Sequence, residues 1–235
     1  MPGTLSEGFF GVSGLAQMEK DFGTQDPWFF GTSKYERDKY AQQIYLAGQH
    51  LKKLPENILE IGSAEGVFSK ALLSHFPAAK YVGVEIARTP YLRAQEALKP
   101  YGSRAEIINA DLLDCVGDLP EGKFDLIFFS ECVYYMGDRI PATGFFKMFE
   151  TLGQKIAPEG VLVMAHIINQ QDAPETPITR RPVMDAYRTM IGGVDGLKRV
   201  HFSEHTQFKE EDGRDYTYEL WVFKKNYPSG LSETQ

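Results

Sequence analysis

Short segments at the ends of apolar runs carry the residues that could do chemistry. Glu60-Ile61-Gly62-Ser63-Ala64-Glu65-Gly66 follows one such run, and its small residues let a ligand approach the backbone closely. The spacing is G-x-x-x-G, with Ala64 where a dinucleotide fingerprint needs its second glycine and Glu65 where a carboxylate opposes a pyrophosphate. The loop therefore suits a nucleoside that carries no phosphate and has a cationic end. Glu85 ends the next run, 23 positions after Gly62, and an acidic residue about 20 residues past such a loop hydrogen-bonds a ribose diol. In Asn109-Ala110-Asp111-Leu112 the aspartate can accept from an adenine amino group while a neighbouring backbone N–H meets a ring nitrogen. Ser130-Glu131-Cys132-Val133-Tyr134-Tyr135 and His166 close two further runs. Glu131 and His166 are candidates to accept a proton from a nucleophile, and Tyr134 or Tyr135 can orient it through a hydroxyl. Each also has a plain structural reading, strand-end cap or satisfied core histidine. Arg37 and Lys39 read best as a solvated helix face.

These residues need elements to hold them. Residues 1–32 are rich in Gly, Phe, Thr and Ser and read as irregular with aromatic anchors. Tyr35, Tyr40, Ile44, Ala47 and Leu51 recur near 3.6 residues, so Ser33 to Leu54 reads as a helix with Ser33 as its N-cap. Strands then alternate with helices. Strands fall at 58–61, 81–85, 105–108, 124–129 and 161–168, with helices at 67–76, from Thr89-Pro90 to Leu98, and through Phe145, Phe149, Leu152 and Ile156. Pro158-Glu159-Gly160 reads as a turn, 169–182 as a polar, proline-rich loop over the sheet, and Met184 to Ile191 as a helix. Two last strands, 197–202 and 216–223, have no helix between them and so pair antiparallel. The fold class is α/β: a Rossmann-like doubly wound sheet, mostly parallel with an antiparallel C-terminal strand, and helices on both faces. In open sheets of this kind ligands bind beyond the carboxyl ends of the strands, where the Gly62 loop, Glu85, Asp111 and Glu131 fall. The chain reads as a single domain, with a lid segment and helix at 1–54, a catalytic domain at 55–235 and a cap loop at about 169–195.

Composition narrows the classes. The 235 residues carry 25 Lys plus Arg against 32 Asp plus Glu, a net charge of −7. That balance argues against nucleic acid and against a polybasic membrane anchor. The longest apolar runs are strand-sized, far below the ~20 residues that span a bilayer. No basic residue precedes Lys20, so the apolar patch from Phe9 to Met18 lacks a secretion signal's charged start. Cys115 and Cys132 have no metal spacing and read as reduced, buried thiols. A cytoplasmic protein is expected, with a small-molecule partner, and a homo-oligomer is compatible with the sequence.

Glu60-x-Gly62-x-x-x-Gly66, Glu85, Asp111, Phe124-Asp125-Leu126-Ile127 and Pro158-x-Gly160, in this order, resemble the class I S-adenosylmethionine-dependent methyltransferases over about residues 55–168. Departures are Ala64 at the usual middle glycine and Glu159 in place of glycine. The resemblance implies S-adenosyl-L-methionine as cofactor. It places the adenosyl group on Glu60, Gly62, Ser63, Ala64, Gly66, Glu85 and Ile86 on one side, and on Asp111, Leu112 and Ser130 on the other. Asp26-Pro27-Trp28 with Tyr35-Glu36, and Ser130-Glu131-x-x-Tyr134-Tyr135, resemble more narrowly the nodulation protein S group, which N-methylates an amino sugar. That likeness implies an N-terminal lid whose Trp28 and Tyr35 cover the sulfonium. The acceptor site would hold Glu131, Tyr134, Tyr135 and His166, with Glu131, His166 and Tyr135 as the catalytic candidates. Glu131 could instead hold the cofactor's α-ammonium. N-methylation of a small amine or amino sugar is expected, with O-methylation of a phenol, hydroxyl or carboxylate as the alternative. An NAD-dependent oxidoreductase is disfavoured by the absent glycine and by Glu65. A non-enzymatic adenosyl-binding regulator is disfavoured by the polar loop and aromatic lid.

Overall fold

The computed structural model describes residues 12–168 and 179–226. Its elements in chain order are α1 (Val12–Asp21), α2 (Lys34–His50), β1 (Asn57–Ile61), α3 (Val67–His75), β2 (Lys80–Glu85), α4 (Arg88–Leu98), β3 (Ala105–Asn109), α5 (Leu112–Cys115), β4 (Phe124–Ser130), α6 (Val133–Arg139), α7 (Ala142–Lys155), β5 (Ile156–Ile168), α8 (Arg181–Gly192), β6 (Leu197–Lys209) and β7 (Arg214–Lys225). The seven strands form one sheet in the order β3-β2-β1-β4-β5-β7-β6. β1 to β5 are parallel, and β7 runs antiparallel to both β5 and β6.

Both faces of the sheet are covered. Leu126, Phe128, Val161, Val163 and Val222 pack with Tyr35, Ile44 and Ala47 of α2 and Phe68 and Leu72 of α3. Leu59, Ile61, Ile127, Phe129, Leu162 and Met164 pack with Phe145, Phe149 and Leu152 of α7 and Met184 and Ile191 of α8. A strand covered on both faces can be apolar at every position, which is why β4 shows no alternation. α7 buries Phe145, Met148, Phe149 and Leu152, a single stripe at helical spacing.

The structure departs from the sequence reading in several places. Residues 12–21 form a helix where irregular chain was expected. α2 stops at His50, four residues short of Leu54. Ile156 opens β5 instead of closing α7, and Pro158-Glu159-Gly160 is a bulge inside that strand rather than a turn before it. There the ladder steps from Phe124–Ile156 to Leu126–Val161, and Glu159 takes a φ of +63°. β6 and β7 extend well past the expected ends, forming a long hairpin paired out to Lys209–Arg214. Cys115 and Cys132 are free and only partly buried. The expected polar loop lies outside the described residues at 169–178, and α8 occupies much of the expected cap.

Candidate active site

β1 has β2 on one side and β4 on the other, so the crevice of the doubly wound sheet opens beyond the carboxyl ends of β1 and β4. Gly62 lies at its floor. Its N–H donates to Val84 O at 2.8 Å and its φ is +76°. A Cβ at this position would overlap Cys132 Sγ, which itself donates to the carbonyls of Ser130 (2.7 Å) and Ile61 (3.2 Å). The loops after β1 and β4 thus meet at a point that only glycine fits. Gly66 also has a positive φ, +77°, and a Cβ there would stand 3.3 Å from Ala94 of α4. Ala64 takes a left-handed φ of +45°, which costs a non-glycine residue about 1–2 kcal/mol.

Glu85 spans this loop. Its carboxylate accepts from Ala64 N and Ala87 N, both at 2.8 Å. Burial pushes its pKa up to about 7, against the pull of those two N–H groups. A glycine cradle with no room for a side chain, and a buried carboxylate beside it, would suit an adenosyl group. Ser63 is buried with its hydroxyl facing Gly83 of β2, so it packs the loop from beneath. Ile86 is partly buried, and its carbonyl accepts from Asn109 Nδ2 at 3.1 Å. Asp111 caps α5 by accepting from Leu113 N at 3.0 Å and pairs with Arg139, while the side chain of Leu112 belongs to the core.

Glu60 is a correction. Its carboxylate faces away from the crevice and accepts from Ser69 Oγ (2.7 Å) and Tyr81 Oη (2.6 Å), where burial raises its pKa to about 7. It fastens α3 and β2 to β1. Glu65 is another. It accepts from Asp26 N at 2.8 Å and pairs with Arg93, so its charge is spent holding the N-terminal segment.

That segment lies across the loops of the crevice. α4 begins without a side-chain cap of its own, and Glu19 of α1 supplies one by accepting from Arg88 N and Thr89 N. Trp28 packs edge-on against Phe22 at 4.8 Å and beside Phe30 at 5.7 Å. Tyr35 is buried against Tyr216 and Tyr218, each at 5.6 Å, in the wall between α2 and β7.

Beyond β4 the expected acceptor residues come together. Glu131 takes a left-handed φ of +55° while its N–H continues the ladder to Ala165 O. Its carboxylate accepts from Tyr134 Oη and Ile167 N, each at 3.0 Å, and pairs with Lys39 Nζ at 2.8 Å. Burial alone would raise its pKa, but the Lys39 ammonium and the Ile167 N–H outweigh it and hold the group below the usual range. The rings of Tyr134 and Tyr135 lie 4.5 Å apart, and Tyr134 stands 6.4 Å from His166. His166 is fully buried against Trp221, at 4.6 Å, and neither ring nitrogen has a hydrogen-bond partner. Burial lowers its pKa to about 3, so the imidazole is neutral. Ser130 turns its hydroxyl to Gln43 of α2.

Lys39 overturns the solvated-face reading: it is 3% exposed and paired with both Glu36 and Glu131. The signal was present, because Tyr35, Lys39, Gln43 and Ala47 share one face at four-residue spacing and all are buried. Arg37 does face solvent. Glu19 and Arg139 were also missed, and nothing local in the sequence marks them.

A model of the nodulation protein S family matches residues 13–170. The chain belongs to that family. Nodulation protein S of Rhizobium tropici is 25% identical over 122 residues, 52% of this chain and 48% of the relative. A malonyl-[acyl-carrier protein] O-methyltransferase of Legionella pneumophila subsp. pneumophila is 28% identical over 135 residues, 51% of this chain and 46% of the relative. The chain spans about half the length of the curated relatives it matches. Among solved structures, the N-methyltransferase NodS of Bradyrhizobium japonicum WM9 has the same fold. It is 21% identical, with a TM-score of 0.62, covering 82% of this chain and 97% of that one. No helix among the described residues is long and apolar enough to cross a membrane.

Proposed function

We propose that this nodulation protein S family member transfers the methyl group of S-adenosylmethionine to the nitrogen of a small-molecule amine, with an amino sugar as the leading acceptor. The observation that carries this reading is the charge of the cleft beyond β4. Glu131 is ionised there and accepts from Tyr134, on which Tyr135 packs, while His166 is neutral and fully buried. The cationic partner of Glu131, Lys39, is shared with a second carboxylate, Glu36. A carboxylate whose one cationic partner is shared in this way would still draw a cationic amine. Both cysteines are free, which suits a reducing cytoplasm.

The cofactor supplies a methyl group on a sulfonium, open to in-line attack. The chain's own residues would bind and orient. Gly62, Ala64 and Glu85 would hold the adenosyl end, with Ser63 and Gly66 shaping the loop, Ile86, Asp111 and Leu112 beside the base, and Ser130 at the strand end. Trp28 and Tyr35 belong to the segment and wall that exclude water. Glu131 receives the acceptor as an ammonium. The amine must lose a proton to expose its lone pair. Tyr134 donates its hydroxyl proton to Glu131 and would orient that carboxylate, which would take up the proton the amine gives up. His166, fully buried against Trp221, would back the wall of the site rather than touch the acceptor. Tyr135 packs on Tyr134 and would set the acceptor's approach.

The curated relatives named for O-methylation of malonyl-[acyl-carrier protein] keep transfer to oxygen as the second reading. A panel of amino sugars, alkylamines, phenols and carboxylic acids, assayed for S-adenosylhomocysteine release and a methylated product, separates the two. Turnover is expected on amines. Turnover confined to phenols or carboxylates would replace the nitrogen assignment with oxygen.

A further inference from the structure

Away from the cofactor loop, an unbroken line of charged side chains crosses the protein. Glu131 Oε1 meets Lys39 Nζ at 2.8 Å, and Lys39 Nζ meets Glu36 Oε2 at 2.9 Å. The other oxygen of Glu36 faces Lys209 Nζ at 3.4 Å, and Lys209 Nζ donates to the carbonyl of Trp28 at 2.9 Å. The signs alternate at every step. The Lys39, Glu36 and Lys209 side chains are almost wholly buried, and the ring of Tyr35 lies against both ammonium groups. One end of the line is the acceptor cleft after β4. The other is the N-terminal segment, held through the tip of the β6–β7 hairpin. Ser33 donating to Glu211 (2.9 Å) and Gln207 donating to Asp38 (2.8 Å) fix that tip to α2.

We propose that Lys39 and Lys209 are positioning residues, which tie the seating of the N-terminal segment to the orientation of Glu131 in the acceptor cleft. The use of Glu131 on an acceptor amine rests on the methyl-transfer reading; the ladder itself does not. A buried charge stripped of its partner is strongly unfavourable, so each member holds the next in place. Glu36 is shared between two lysines. When Lys209 is lost, Glu36 draws fully onto Lys39, and Lys39 relaxes its hold on Glu131. Groups in one such network respond as a unit rather than as independent pairs. The coupling therefore runs both ways between lid and cleft.

The test compares wild type with Lys209→Met, Lys39→Met and Lys39→Arg. The first readout is amide hydrogen exchange at Ile167, whose N–H donates to Glu131, and at Ser33, whose N–H donates to Phe29 O behind Trp28. Lys209→Met sits at the lid end, yet it is expected to speed exchange at Ile167 roughly tenfold. Lys39→Met should speed both sites, and Lys39→Arg should restore most of the protection. The second readout is steady-state methyl transfer. Both Met variants should raise the acceptor KM and lower kcat while S-adenosylhomocysteine affinity changes far less. Unchanged exchange at Ile167 in Lys209→Met would overturn the coupling and leave two local braces. If Lys39→Met fails to fold, Lys209→Met alone decides. If no amine is turned over by wild type, the functional reading fails, and the exchange comparison still decides the ladder.

Discussion

Gly62→Ala should weaken S-adenosylhomocysteine binding by roughly a hundredfold or more, read by titration calorimetry. Two costs combine. The φ of +76° is a left-handed conformation, about 1–2 kcal/mol for a residue with a Cβ. The new methyl would also overlap Cys132 Sγ, so the loops after β1 and β4 must move apart. Close packing leaves little slack for that movement. The double variant Gly62→Ala/Cys132→Ala removes the overlap but keeps the strained φ, and it should recover part of the affinity. Equal affinity in Gly62→Ala and wild type would mean that the cofactor does not lie against this loop.

Glu131 carries the second large effect, and two substitutions separate its roles. Glu131→Ala leaves the buried Lys39 with Glu36 alone and strips the partner from the Tyr134 hydroxyl and from Ile167 N. Breaking a buried pair from one side costs about 3–5 kcal/mol. In a chain of this size that is roughly 6–20 °C in Tm, readable by scanning calorimetry. Glu131→Gln keeps the shape and loses the charge. Turnover on an amine should fall at least about tenfold, as for loss of a charge-assisted hydrogen bond, with S-adenosylhomocysteine affinity nearly intact. Weakened cofactor affinity with little change in acceptor turnover would assign Glu131 to the cofactor's ammonium instead.

Much of the fold was legible because its signals are local. The Gly62–Gly66 loop, Glu85 and the apolar run of β4 announce strands, a turn and a crevice through spacing and composition. Those residues occupy the positions that the reading gave them, and the carboxylate of Glu85 reaches the very loop with which it was paired. Glu131, Tyr134, Tyr135 and His166 do lie close together, since strands four and five are neighbours in this strand order, but His166 is buried against Trp221 rather than lining a cleft. Interactions between distant segments were not legible. Glu19 capping α4 and Lys39 reaching Glu131 depend on how α1 and α2 lie across the sheet, which no short window encodes. Glu60 was misread because strand alternation was not applied to it: it faces the α3 side with Ser69 and Tyr81, while Leu59 and Ile61 face the other. α1 was missed because residues 1–32 were read as irregular from their Gly, Phe, Thr and Ser content, and the contact of Glu19 with α4 is not visible in a short window.

The most direct measurement is a calorimetric titration of S-adenosylhomocysteine into wild type and Glu85→Ala, at about pH 8 where the carboxylate is ionised. Wild type should bind one equivalent. Glu85→Ala, folded by circular dichroism, should bind at least about tenfold more weakly, since a charge-assisted hydrogen bond is worth about 1.5–3 kcal/mol. Wild-type affinity should also fall as pH drops below about 7, where the buried Glu85 takes up a proton and can no longer accept from both ribose hydroxyls. No binding to wild type, or the same affinity in both proteins, would contradict an adenosyl cofactor seated on Gly62 and Glu85.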